Sequence, residues 1–252
     1  MYYKTKEVTI YYEKYGNEKK AILILPGWGH NRETFYPIIK ELQEDYSIYI
    51  LDYPGFGNSP PLETEWKIED YAKNIKNFLW ENNIYNPIII AHSFGGRISA
   101  LLLGKYQIKA EKIILMDVAG IKRRKSLKLF LKEKIYKFLK KLTYLFPKIK
   151  QEEMRQKLIF YFGSNDYKNI PFSMQKTFQN ILREDLRKYY KKIQTETLLI
   201  WGQKDLDTPL KDGQYLNQKI KNSALIIYKN AGHFSYLNYP YLTIEIIKSF
   251  LK

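Results

Sequence analysis

Short aliphatic runs alternate along the first half of the chain with segments whose apolar residues recur every three or four positions. That rhythm predicts strands joined by crossover helices, and hence a mostly parallel sheet. Val8–Tyr12 alternates as an early strand, and Ala21–Leu25, Tyr46–Leu51, Pro87–Ala91 and Lys112–Met116 read as buried strands. Between them, helical spacing covers Thr34–Leu42, Glu69–Asn82 (Tyr71, Ala72, Ile75, Phe78, Leu79) and Gly95–Gly104.

From about residue 121 to residue 192 the rhythm stops. Leu127, Phe130, Leu131, Ile135, Phe138, Leu139, Leu142, Leu145 and Phe146 fall at three- and four-residue steps with lysines between them, which predicts an amphipathic helix stopped by Pro147. Further helical stretches cover Glu152–Phe162 and Ser173–Lys192. Alternation then resumes with strand Thr197–Trp201, helix Lys211–Ile220, strand Ala224–Tyr228 and a closing helix near Leu242–Leu251. The expected organisation is an α/β core over residues 1–120 and 193–252, split by an all-helical insert over 121–192. Such an insert belongs at the sheet edge where loops and binding sites collect.

Composition narrows this picture little. The 252 residues are 45% hydrophobic and 16% aromatic, which excludes a disordered chain. The absence of cysteine excludes disulfides, thiol catalysis and thiolate metal sites. The first residues lack an apolar signal region and no apolar run approaches 18 residues, so a cytoplasmic protein is expected. The net charge of +16 is spread among scattered lysines, and no nucleic-acid-binding pattern accompanies it, so no nucleic acid partner is expected.

Candidate chemistry begins at Ile88-Ile89-Ile90-Ala91-His92-Ser93-Phe94-Gly95-Gly96, where a strand runs into a serine and a helix follows at once. A nucleophile elbow needs small residues two before and two after the serine, because the strained turn crowds its neighbours. Ala91 and Gly95 supply them. A serine hydroxyl also needs a base in contact. Of the three histidines, His92 adjoins Ser93 and is expected to point away into the structure, and His30 lies in an earlier loop. His233, between the last strand and the last helix, stands where a base can meet the elbow. For the acid that orients it, Asp205 after strand Thr197–Trp201 is the first candidate, with Asp117 and Asp207 as alternatives. An oxyanion needs two fixed donors. The backbone N–H of Phe94 is one, and Trp28, in the glycine-flanked loop after Ala21–Leu25, is the candidate for the other.

Taken in order, Leu25-Pro26-Gly27-Trp28-Gly29, Asp52-Tyr53-Pro54-Gly55-Phe56-Gly57-Asn58-Ser59, Ala91-His92-Ser93-Phe94-Gly95-Gly96, Trp201-Gly202-Gln203-Lys204-Asp205 and Gly232-His233-Phe234 resemble the marker segments of the α/β-hydrolase superfamily. The resemblance spans nearly the whole chain and likens the helical insert to the family's cap. It departs at Pro26, where histidine is usual, and at Ala91, where glycine is usual. It implies an α/β-hydrolase fold and acyl-type hydrolysis by Ser93, His233 and Asp205 through an acyl-enzyme, with no metal or cofactor. The implied substrate is a small-molecule ester, and the aromatic insert favours an apolar acyl or aromatic part. C–C bond hydrolysis and non-catalytic binding of a small ligand are alternatives on the same scaffold.

Lys122-Arg123-Arg124-Lys125 opens the insert, and Lys128, Lys132, Lys134, Lys137, Lys140 and Lys141 follow against one acid, Glu133. This basic stretch has three readings. It is a solvated helix face, a dock for an acidic acyl carrier, or an amphipathic surface on an anionic membrane. The second fits carrier-protein methyl esterases, whose Gly-Trp-Gly and Pro-Gly-Phe-Gly segments the chain also resembles. The third fits a lipase or lysophospholipase.

Overall fold

The structure is a computed structural model and describes residues 1–30, 32–122, 127–162 and 171–252. Its strands are β1 (Tyr2–Lys4), β2 (Thr9–Tyr15), β3 (Ala21–Leu25), β4 (Ser47–Leu51), β5 (Ile88–His92), β6 (Ile113–Met116), β7 (Thr197–Gly202) and β8 (Ser223–Tyr228). They form one sheet in the order β1-β2-β4-β3-β5-β6-β7-β8. Among the described residues only the β1–β2 and β2–β4 pairings are antiparallel, so the sheet is mostly parallel, as the alternation predicts. The main helices are α1 (Tyr36–Leu42), α2 (Ile68–Glu81), α3 (Phe94–Gly104), α4 (Leu127–Leu142), α5 (Lys148–Phe162), α6 (Gln175–Arg183), α7 (Leu210–Lys219) and α8 (Pro240–Leu251).

Two hydrophobic layers cover the sheet because successive strand residues point to opposite faces. Ile22, Ile24, Ile88, Ile90, Ile114 and Ile200 pack with residues of α1 and α8 on one face. Leu23, Leu25, Ile89, Ala91, Leu115 and Trp201 pack with α2, α3 and α7 on the other. Strands buried on both faces must be apolar throughout, which is why these runs lack polar alternation.

The chain leaves β3 for β4 on one side and then returns to place β5 on the other. The C-terminal ends of β3 and β5 therefore flank a topological switch point, where open α/β sheets hold their ligands. Leu25 pairs in register with Ala91, which sets the loop after β3 beside the loop after β5.

Between β6 and β7 the described residues form helices and turns without a strand. The expected helix Ser173–Lys192 is instead two pieces, α6 and a short turn at Arg187–Tyr190. The break falls at Glu184, whose backbone is extended. Buried Arg97 of α3 donates from Nη1 to the carbonyls of Ile181 and Glu184 at 3.1 and 3.3 Å, taking up acceptors that a continuous helix would have satisfied itself. The turn Arg187–Tyr190 then lies directly on α3, where a Cβ on Gly104 would come within 2.2 Å of the Tyr189 carbonyl. The helix predicted to run to Pro147 ends at Leu142, followed by a 3-10 turn at Thr143–Leu145. Among the described residues no helix is long and apolar enough to cross a membrane.

Candidate active site

Ser93 sits between β5 and α3 with φ 47° and ψ −109°, a conformation costly for any residue with a side chain. Its surroundings hold the turn in place. The Ser93 N–H donates to Met116 O at 3.2 Å, and the Ser93 carbonyl accepts from Gly96 and Ala119 at 3.0 and 2.9 Å. A Cβ on Gly95 would lie 2.0 Å from Leu25 O, and one on Gly96 would lie 2.3 Å from Val118 Cβ. Both glycines are thus required by close packing of α3 on its neighbours. Ala91 fits at the earlier small position, fully buried against the sheet.

His233 reaches the serine from the loop after β8. Its Nε2 is 2.8 Å from Ser93 Oγ, and its Nδ1 is 2.9 Å from Asp205 Oδ2. With the carboxylate as acceptor, Nδ1 carries the proton, which leaves Nε2 to accept from the serine hydroxyl. The loops after β7 and β8 can approach this closely because Gly202 lacks a side chain; a Cβ there would fall 2.1 Å from Gly232 O. Lys204 N–H donates to Ala231 O at 2.8 Å and ties the same two loops together.

Asp205 is the carboxylate that meets the imidazole. Its Oδ1 also accepts the Asp207 and Thr208 N–H groups at 2.8 and 2.9 Å. Burial opposes its charged form, but the hydrogen bonds from His233 and Thr208 outweigh this and hold its pKa below the usual carboxylate range. For His233, burial likewise opposes the charge, and the hydrogen bond to Asp205 with that residue's negative charge raises the pKa above the ordinary histidine value. Asp117, an alternative from the sequence, faces other partners. Its Oδ1 accepts from Gly202 N–H at 2.8 Å, and its Oδ2 accepts from the Ser235 N–H and hydroxyl at 3.1 and 2.5 Å. Burial pushes its pKa up to about 7. Asp207 offers its backbone N–H to Asp205.

Three further residues were not singled out for these contacts from the sequence. Thr208 Oγ1 lies 2.5 Å from Asp205 Oδ2, 2.9 Å from Asp117 O and 3.2 Å from His233 Nδ1, so it bridges both carboxylate-bearing segments and the imidazole. Ser235 anchors Asp117. His92, fully buried as expected, donates from Nε2 to the His233 carbonyl at 2.8 Å, and burial pushes its pKa down to about 3, so it is a neutral strut under the loop. The small residue at Gly27 makes room for it, since a Cβ there would sit 2.9 Å from His92 Nδ1.

Among the described residues, no intramolecular backbone acceptor receives the N–H of Trp28 or of Phe94. The Trp28 ring packs edge-on against Phe94, Phe56 and Tyr71 at 5.1, 4.9 and 6.2 Å and beside Phe178 at 5.2 Å. With Pro26 in place of histidine, this aromatic wedge braces the loop after β3. Asp205, Asp207 and His233 also bring ligand-type atoms within 4.8 Å of one another. Of these, Asp205 Oδ2 and His233 Nδ1 bond to each other, and Asp205 Oδ1 accepts the Asp207 and Thr208 N–H groups.

A family model described as the alpha/beta hydrolase fold matches residues 20–240. The chain is 26% identical over 263 residues to the uncharacterized hydrolase YugF of Bacillus subtilis, covering 97% of this chain and 95% of that protein. It is 26% identical over 257 residues to a pimeloyl-[acyl-carrier protein] methyl ester esterase of Wigglesworthia glossinidia brevipalpis, covering 94% of this chain and 95% of that one. Its fold is shared with MGS-M2, an alpha/beta hydrolase enzyme from a Medee basin deep-sea metagenome library, at a TM-score of 0.77 and 19% identity, covering 100% of this chain and 97% of that structure.

Proposed function

Because the chain belongs to the α/β-hydrolase fold family, we propose that it is a serine esterase, with Ser93 as nucleophile, His233 as base and Asp205 as orienting acid. The observation that carries this reading is the unbroken hydrogen-bonded series from Ser93 Oγ through His233 to Asp205, at 2.8 and 2.9 Å. Ser93 Oγ attacks the ester carbonyl carbon while His233 Nε2 takes its proton, and Asp205 stabilises the resulting imidazolium. The carbonyl oxygen becomes an oxyanion held by the Trp28 and Phe94 N–H groups. Collapse breaks the bond to the alcohol, which leaves with the proton from His233. A water, deprotonated by the same Nε2, then attacks the acyl-serine, and the acid and free Ser93 are released.

The substrate reading is a small carboxylic ester with an apolar acyl part. The buried rings of Phe56, Phe94 and Phe178 cluster around Trp28, with Phe94 next to Ser93 in the chain, and the buried Met174 side chain lies against Gly55; this aromatic cluster supports the apolar reading. The described residues between β6 and β7 serve as the cap over this aromatic cluster, fastened by Arg97 and by the bond from Trp66 N–H to Thr177 Oγ1 at 3.0 Å. A panel of p-nitrophenyl and methyl esters of graded acyl length, run beside Ser93→Ala, tests the assignment. Hydrolysis that rises with acyl length to an optimum is expected. Flat, negligible turnover would remove the esterase reading and leave C–C bond hydrolysis.

The pH profile supplies a second check. The base works only when neutral, and its pKa is raised by Asp205, so activity is lost as pH falls through that value. The acidic limb of kcat/KM is expected above the ordinary histidine pKa, measured with a substrate that does not itself titrate. A limb in the carboxylate range would remove His233 as the base.

A further inference from the structure

Helix α4 turns its largest described apolar side chains toward water. Leu131, Ile135, Phe138 and Leu142 are spaced by four, three and four residues, so they form one narrow stripe along the helix. They are between 36% and 63% exposed. Past the turn at Thr143–Leu145 the surface continues with Leu145 and Ile149, 79% and 90% exposed. What packs is the other side of the hairpin, where Thr143 is buried and the Tyr136 and Phe162 rings meet at 5.9 Å. A helix laid on its own domain shows the reverse arrangement, and solvent-facing apolar surface of this continuity marks an interaction site.

The charges beside the stripe identify the partner. From Leu131 to Lys150 the sequence holds seven lysines and one acid. By helical spacing Lys134, Lys137 and Lys141 run along one flank of the stripe, and all three are exposed. An acidic protein surface would answer the lysines yet leave Leu131, Ile135 and Phe138 without an apolar counterpart. A bilayer with anionic headgroups answers both. Its acyl boundary accepts the leucine, isoleucine and phenylalanine side chains, while the lysine stems extend along the surface and keep their ammonium groups at phosphate level.

We propose that the α4–α5 hairpin is an interfacial binding surface for anionic phospholipid bilayers. It requires no chemistry at Ser93. The test is co-sedimentation of the full chain, and of its Ser93→Ala form, with vesicles of phosphatidylcholine alone or mixed equally with phosphatidylglycerol. Both forms are expected to bind the anionic vesicles at least about 10-fold more tightly than the neutral ones, with affinity falling as salt rises. Ile135→Ser with Phe138→Ser is expected to cut that binding about 10-fold or more. Lys137→Gln with Lys141→Gln should weaken it about 5-fold per lysine at low salt. A control, Lys4→Gln with Lys6→Gln and Lys19→Gln, changes exposed lysines outside the hairpin and is expected to leave binding unaltered. Because the substituted isoleucine, phenylalanine and lysine side chains are exposed, each of these surface variants, made with Ser93 intact, is expected to keep the wild-type circular dichroism spectrum and its turnover of a short soluble ester.

Equal weakening by the control would reduce the effect to diffuse charge and overturn the proposal. So would an unaltered affinity of the Ile135→Ser, Phe138→Ser form. Retention of an acidic acyl carrier protein without vesicle affinity would assign the surface to that partner instead, and stripe-dependent self-association without vesicle affinity would assign it to a second copy. Vesicle binding by an enzyme inactive on every ester would keep this inference and remove only the esterase reading.

Discussion

Ser93→Ala is expected to lower kcat/KM on an activated ester by about 10⁵- to 10⁶-fold, and to abolish covalent labelling by a fluorophosphonate. The size follows from what the substitution removes. The reaction loses its proposed nucleophile, while the N–H groups of Trp28 and Phe94, proposed as the oxyanion donors, and the aromatic cluster around Trp28 remain. The residual rate should therefore exceed that in water, reflecting bound substrate attacked directly by solvent. Folding should not suffer. The Ser93 hydroxyl bonds to the His233 ring, whereas the turn is held by backbone bonds to Met116, Gly96 and Ala119. An alanine variant with an unchanged melting temperature and wild-type turnover would exclude Ser93 as the nucleophile. An activity loss accompanied by unfolding would instead assign the residue to the architecture of the elbow.

The second large effect separates the two buried carboxylates. Asp205→Asn is expected to cost about 10⁴-fold in kcat, because an amide no longer selects the Nδ1–H form of His233 or stabilises its cation. The imidazole should also titrate at lower pH, since burial continues to oppose its charge after the anion is gone. NMR of the ring protons measures that shift directly. Asp117→Asn should leave kcat within about one order of magnitude but lower stability by roughly 1–3 kcal/mol, because the amide must turn donor hydrogens toward the Gly202 or Ser235 donors. Reversal of the two outcomes, with Asp117→Asn the catalytically damaged form, would move the acid to the end of β6.

Much of this arrangement was legible in the sequence, because the legible parts are local. A strand buried on both faces must be apolar, so β3, β4, β5, β6 and β7 announce themselves within their own residues. The elbow is likewise written into Ala91, Ser93 and Gly95, the last of which answers a crowding that the Leu25 carbonyl imposes. The features that escaped depend on distant partners. β1 is three residues long and exists by pairing Tyr3 with Ile10. The break at Glu184 follows from a guanidinium that arrives from residue 97, and nothing in the helical periodicity of 173–192 records it. Thr208 carries no motif of its own, yet its hydroxyl joins Asp205, Asp117 and His233. A threonine just past a predicted acid at a strand end was the available signal. His92 was expected to point inward but not to hold the His233 carbonyl.

The break in strand alternation between β6 and β7 also has a kinetic side. Those strands are neighbours in the sheet, with Ile113 beside Thr197 and Met116 beside Ile200, yet roughly 80 residues separate them along the chain. Their pairing must close that long loop, an entropic cost met before any contact between the strands rewards it. Ser93 precedes the loop, while Asp205 and His233 both follow it. During refolding, β3, β4, β5 and β6 can assemble the elbow while His233 and Asp205, its proposed base and acid, are still unattached. With the proposed triad, closure of β6 on β7 is required before turnover can recover, so recovery of turnover is expected to report a long-range step of folding.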